Sequence, residues 1–309
     1  REALRFRTPE CTPHDYAVTQ HHLGSALADR PVGDRAANLQ QAITCFQEAL
    51  RFRSPDLEPM AYADIQVSLG IAYTELPIGD RTASLQKAII CYREALRFRR
   101  RDSAPLDYAA THVNLGIAYF HMPAGDRNEN LQKAVTCYEK ALAVYSLEAT
   151  PSEYAKAQIN LGNAYAELDV GQRETSVRKA ISCYRKALAV VNVDTDSSCY
   201  AMILDNLGSA YADLQSGDRG ANLRKAIACY REALRFRTRD TVPFDFAMTQ
   251  NNLGVAYSDW ISSNRDVNLE NAVRCYQQAL SVYTPEAAPL DYAMVQNNLG
   301  TVYDALCGV

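Results

Sequence analysis

The sequence predicts an all-α solenoid, a right-handed superhelix of antiparallel helix pairs about six and a half repeats long, and three observations predict it. The dipeptide Leu-Gly returns every 46 residues, with glycines at Gly24, Gly70, Gly116, Gly162, Gly208, Gly254 and Gly300. Around each glycine the apolar residues fall at spacings of about three, four and seven, the period of one helix face. Between these helical stretches, turn residues such as Gly125-Asp126-Arg127 recur at the same offset. A fixed period of roughly 20 to 50 residues marks a stack in which each unit buries its apolar face only against its neighbours. Function is then sought on the surface of the stack.

The third repeat shows how each element is encoded. Pro105-Leu106-Asp107-Tyr108 opens helix A, which runs to about Phe120 with Tyr108, Leu115, Ala118 and Tyr119 on one face. Proline in the first turn forfeits no useful N–H, and the Asp107 carboxylate suits the positive helix end. Met122 to Arg127 breaks the period with turn residues. Helix B is expected to start at Asn130, with Asn38, Ser84, Ser176, Asn222 and Asn268 as the equivalent N-caps. Leu131, Ala134, Val135, Tyr138, Ala141 and Leu142 then form an apolar stripe. Gly116 in mid-helix costs about 1 kcal/mol relative to alanine, so its recurrence implies a close crossing of helix B, with Ala134 and Ala141 as expected counterparts.

Composition narrows the class. The 309 residues are 48% hydrophobic and 22% charged, with a net charge of -4 that offers nucleic acid or an anionic membrane no global attraction. No stretch approaches the roughly 18 apolar residues of a membrane span, and a cytoplasmic setting is expected. Of nine cysteines, six (Cys45, Cys91, Cys137, Cys183, Cys229 and Cys275) share the repeat period and read as one packing position rather than a disulfide or metal framework.

Leu115-Gly116, Tyr119, Ala134, Tyr138 and Ala141 follow the order of the tetratricopeptide repeat signature, and the chain resembles that family along its whole length. The standard unit is about 34 residues. Here two extensions of about six residues each lengthen it, one between Gly116 and Ala134 and one between Ala141 and Gly162. The string Asp-Tyr-Ala, Asn-Leu-Gly, Gly-Asp-Arg, Asn-Leu-Gln-Lys-Ala is similar to long-period arrays of bacterial multidomain proteins that carry CHAT-type caspase-like protease or nucleotide-binding signalling domains. Residues 1–309 are read as one array: a helix B tail and linker at 1–14, repeats at 15–60, 61–106, 107–152, 153–198, 199–244 and 245–290, and a further helix A at 291–309. Because Arg1 to Phe6 repeats Arg93 to Phe98, the array is expected to be an excerpt of a longer chain.

The resemblance implies a peptide-binding groove lined by helices A. Two residues before the glycine stand His22, Ser68, and then Asn114, Asn160, Asn206, Asn252 and Asn298. This row resembles the asparagine ladders of O-GlcNAc transferase and kinesin light chain, which implies a grip on the backbone of an extended protein or peptide ligand. An amide both donates and accepts, so it pairs with main-chain groups whatever the ligand sequence. The other reading is that these amides bond within the scaffold. Five residues after the glycine, Glu75, Glu167, Asp213 and Asp259 form an acidic edge, either lining the groove for basic ligands or paired with the turn arginines Arg35, Arg81, Arg127, Arg173, Arg219 and Arg265. Arginines at the ends of helices B, among them Arg53, Arg99 and Arg237, suit the negative helix end. The five histidines lack a metal-ligand pattern, no phosphate loop is present, and no catalytic constellation or cofactor is expected within this stretch. The alternative function is a sensor or regulatory arm of a multidomain enzyme whose catalytic domain lies outside these residues.

Overall fold

The computed structural model describes residues 2–307 except 170, 172, 262 and 263. Its elements are a single turn of 3-10 helix at Glu2–Arg5 and the α-helices α1 (Pro13–Ala28), α2 (Arg35–Arg51), α3 (Pro59–Glu75), α4 (Arg81–Ala95), α5 (Pro105–Phe120), α6 (Arg127–Leu142), α7 (Pro151–Glu167), α8 (Arg173–Leu188), α9 (Ser197–Asp213), α10 (Arg219–Ala233), α11 (Pro243–Asp259), α12 (Arg265–Leu280) and α13 (Pro289–Cys307). The described residues contain no strand. Odd-numbered helices are the A members of the hairpins and even-numbered ones the B members. In the expected helix B tail, Arg1 lies outside the described residues and Glu2–Arg5 forms the 3-10 turn; at the other end, Gly308 and Val309 of the expected 291–309 helix also lie outside them.

The chain forms two compact units, Arg1–Thr150 with α1 to α6 and Pro151–Val309 with α7 to α13. Within each unit a helix A packs on its own helix B, and that helix B packs on the next helix A. Consecutive helices A touch as well, whereas no such contact joins consecutive helices B among the described residues. Helices A therefore crowd one side of each stack and helices B open on the other.

Local sequence sets these boundaries. Proline begins six of the seven helices A, while α9 instead begins after Asp196, whose carboxylate accepts from Cys199 N–H at 3.0 Å. Helix B starts three residues earlier than Asn130 suggests. The N-cap is the aspartate of Gly-Asp-Arg: Asp126 accepts from Glu129 N–H at 2.8 Å, Asp218 from Ala221 N–H at 3.0 Å and Asp34 from Ala36 N–H at 2.9 Å. The preceding glycine makes this turn possible, with φ of 84° at Gly125 and 79° at Gly217. The asparagines expected as caps lie inside the first turn and donate backward to the loop, Asn130 to Ala124 O at 2.9 Å and Asn222 to Ser216 O at 3.0 Å.

Each hairpin closes on the mid-helix glycine. A Cβ built on Gly116 would lie 2.5 Å from the ring of Tyr138, and one on Gly208 would lie 2.7 Å from Tyr230. The counterpart of the glycine is thus the fully buried aromatic of helix B, not Ala134 or Ala141. The ring lies flat against bare backbone, a fit any side chain at the glycine destroys. A Cβ on Gly300 would have nothing within 4 Å.

Candidate partner-binding face

The side of each unit crowded by helices A carries a stripe of accessible residues along every such helix. In the second unit it reads Lys156, Asn160, Asn163 and Glu167 on α7, then Met202, Asn206, Ser209 and Asp213 on α9, then Met248, Asn252, Val255 and Asp259 on α11. The spacings of four, three and four keep these residues on one helix face. The asparagine at position two of each stripe is half-buried, and the ends are exposed or half-exposed. Asn114 occupies the same central, half-buried place on α5 in the first unit.

Several asparagines of the row reach sideways to the preceding helix A. Asn206 Nδ2 donates to Asn163 Oδ1 at 3.1 Å, and that oxygen also accepts from Tyr184 Oη at 2.8 Å. Asn298 donates to Asn251 Oδ1 at 3.1 Å, and Asn252 bonds Asp205. Where the row begins with other residues, the place is kept: Ser68 Oγ meets His21 Nε2 at 3.1 Å. Each amide-to-amide bond uses one of the two N–H groups of its donor, so half-buried carboxamides stand one per repeat, held in register by the scaffold.

The acidic edge is tied to arginines, but to those of the preceding repeat. Arg35 pairs with Glu75, Arg173 Nη2 with Asp213 at 2.8 Å and Arg219 Nη2 with Asp259 at 3.1 Å. The same guanidinium turns its Nη1 to the end of its own helix A, where Arg173 donates to Ala166 O and Arg219 to Ala212 O. One arginine at the start of helix B thus satisfies an orphan carbonyl and bolts its hairpin to the next. Glu167 also has a partner within the protein.

A second arginine column, read from sequence as helix-end cations, is interior. Arg99 donates to Asp64 at 2.6 Å on its own helix A and to Thr111 at 3.0 Å on the next. Arg237 donates to Thr249 at 2.8 Å and lies 3.5 Å from Asp205, their side chains only 7% and 4% exposed. Burial pushes the Asp205 carboxyl up, opposed by its hydrogen bond to Thr249 and by the Arg237 charge. A recurring Arg with Thr twelve residues on, as at Arg7 and Thr19, was the available sequence signal, and those two bond at 3.0 Å. The periodic cysteines are buried except for the half-buried Cys45 and Cys229, and burial pushes Cys137 up to about 11 and Cys275 to about 12. Such thiols are poor nucleophiles.

Among the described residues no helix is long and apolar enough to cross a membrane, and no cluster of His, Cys, Asp and Glu has the makings of a metal site. The model of the Sel1 repeat family matches residues 109–143, 155–189, 204–235 and 247–281, each covering most of one A–B hairpin. A search of curated proteins gives no significant match. Among solved structures, the chain is similar to the signal-transduction ATPase with numerous domains and a tetratricopeptide repeat sensor from Pyrococcus horikoshii, with a TM-score of 0.57 and 14% identity over 95% of this chain and 42% of that one. It is also similar to a chain of the APC/C hetero-tetramer Cut9-Hcn1, with a TM-score of 0.52 and 15% identity over 94% of this chain and 47% of that one. The chain spans less than half the length of either structure.

Proposed function

We infer that this chain, a repeat protein of the tetratricopeptide type with Sel1-like hairpins, binds an extended protein segment along its helix A face through the asparagine row. The observation that carries this reading is the spacing and support of the amides. Asn206, Asn252 and Asn298 recur one per repeat, half-buried, each braced by a polar side chain of the preceding helix A. Bracing removes rotamer freedom before a ligand arrives, which lowers the entropy lost on binding. Each amide-to-backbone bond contributes about 0.5 to 1.5 kcal/mol, so selectivity falls to the flanking columns, where Met202, Met248 and Lys156 differ between repeats. The carboxylates of the acidic edge border the same face, but Glu75, Asp213 and Asp259 are paired with arginines and Glu167 has its own partner, so they add little net charge to the ligand's selection.

The test is affinity capture from the native cell extract with the intact chain, compared with an Asn206→Ala/Asn252→Ala double variant. Partners bound through the row disappear from the double variant while its thermal melt stays cooperative. A partner set unchanged by both substitutions overturns the reading. A second reading rests on the likeness to the Pyrococcus horikoshii ATPase with its tetratricopeptide sensor. In it the array is the sensor arm of a multidomain signalling enzyme, and partner binding to helices A is the input.

A further inference from the structure

On the opposite side of the second unit, α8 and α10 are separated by a cleft of about 700 Å³. Its floor is apolar, made by Ile181, Leu214 and the ring of Tyr211, and its walls carry Arg178, Arg185, Lys186 and Lys225 with no carboxylate among the lining residues. Arg178 is engaged by Glu174 at 3.1 Å. Among the described residues no carboxylate lies within ion-pair distance of Arg185, Lys186 or Lys225; Lys225 instead lies over the Tyr211 ring at 5.4 Å. A chain of net charge -4 therefore concentrates uncompensated positive charge at one concave place.

The repeat supplies its own control. At the positions of Lys186 and Ala189, three other helices B carry an acid and an arginine that pair with each other: Glu48 with Arg51 at 2.9 Å, Glu94 with Arg97 at 2.7 Å and Glu232 with Arg235 at 2.9 Å. In α8 the acid has become lysine and the arginine alanine, which removes the neutralising partner and shortens the side chain at the cleft wall. Helix α6 shares Lys140 and Ala143 but places Glu139 where α8 has Arg185. Only α8 combines cations at the Arg178, Arg185 and Lys186 positions.

We propose that the α8/α10 cleft is a second binding site, distinct from the helix A face, for an acidic segment of a partner protein that carries an apolar side chain among its carboxylates. The cations fix the sign of the ligand, and the Ile181, Leu214 and Tyr211 floor asks for an apolar group that a bare phosphate lacks. Nucleic acid fits less well, because stacking of bases needs exposed aromatic faces and Tyr211 is half-buried under Lys225.

The probe is a fluorescein-labelled hexapeptide, Glu-Leu-Glu-Glu-Leu-Glu, titrated against the whole chain by fluorescence anisotropy. Binding is expected, weakening at least about tenfold for Lys186→Glu/Ala189→Arg, which rebuilds the acid–arginine pair of α4 and α10 with a net charge change of one. The control Arg100→Glu/Arg101→Glu, on the first unit, leaves affinity within about twofold. Both double variants keep the wild-type melt, because every substituted residue is exposed. The proposal is overturned by absence of peptide binding, by equal loss in the control, or by a single-stranded oligonucleotide of equal charge binding more tightly than the peptide. Because the site is remote from the asparagine row, Asn206→Ala/Asn252→Ala leaves peptide affinity unchanged; a loss there places the peptide on the helix A face and overturns the assignment.

Discussion

Within a hairpin, Gly116 meets Tyr138 as Gly70 meets Tyr92 and Gly208 meets Tyr230, and Gly24 meets Phe46, so a ring always faces the glycine. Between hairpins, equivalent positions at the end of helix B hold Arg99, Tyr145, Val191, Arg237 and Tyr283. The interior of a hairpin has one steric solution, a ring against a bare backbone. A junction has several: Arg99 and Arg237 bond Thr111 and Thr249, whereas Tyr283 and Val295 at the same positions belong to one apolar cluster. Arg53 shows a third arrangement, with Ile65 twelve residues on and Glu58 as its ion-pair partner.

The largest effect expected from that contrast is at the Arg237 junction. Asp205→Ala leaves a buried guanidinium short of its counter-charge, and removing one member of a buried pair costs about 3 to 5 kcal/mol. Replacing both, as Asp205→Leu/Arg237→Val, returns most of that loss, since Ile159 and Val191 hold these two positions in the preceding repeat. Guanidinium denaturation with hydrogen exchange on α9 and α11 reads both variants. A double variant no more stable than Asp205→Ala would break the idea of interchangeable junctions.

His112 is an exception inside the third repeat. Burial, and then the Lys140 charge, lowers its pKa to about 4, and its ring stacks edge-on with Tyr108 at 4.4 Å. The unfolded chain binds this proton first as pH falls, so stability is intact above about pH 6.5, falls between 6.5 and 4, and levels off below. The difference amounts to about 3 kcal/mol. His112→Gln abolishes that part of the acid sensitivity, because glutamine at the same position bonds its tyrosine in other repeats, Gln66 to Tyr62 at 2.9 Å for example. Melting temperatures across pH 4 to 7 compare the two chains; identical curves would remove His112 as the cause.

The glycine column gives the next effect, and its sign reverses along the chain. Gly208→Ala puts a Cβ 2.7 Å from the Tyr230 ring and is expected to destabilise by about 1 to 3 kcal/mol. Gly300→Ala meets nothing within 4 Å and gains up to about 1 kcal/mol of helix propensity. Equal shifts of the two melts would separate the glycine from ring contact and leave only propensity.

The hairpins were legible because their rules are local: period, proline starts, and glycine and aromatic within one unit. The N-cap lies four residues before Asn130, which has the right chemistry for a cap, because the positive φ of Gly125 turns the chain early enough for Asp126 to take that role. The acid–arginine pairing was legible as a recurrence, but its partner was not, since Arg173 reaches Asp213 in the next repeat rather than the acid before it. The buried arginines were read as helix-end cations because exposure at a junction depends on the adjacent hairpin. The asparagine row was visible as a column, while its bracing by Asn163 and Asn251 appears only once helices A are set side by side.

Arg173 and Arg237 separate burial from residue type, for both join adjacent hairpins through a guanidinium. The Arg173–Asp213 side chains are 41% and 53% exposed. Water screens such a pair to about 0.2 to 1 kcal/mol, and salt weakens it further. Arg173→Lys keeps the charge but loses the fork that reaches Ala166 O and Asp213 together, so most of the small contribution disappears even without charge loss. A double-mutant cycle of Arg173→Lys with Asp213→Asn at low and high salt reads the coupling. A value above about 2 kcal/mol, or one indifferent to salt, would place this exposed bolt with the buried junction and remove the distinction between them.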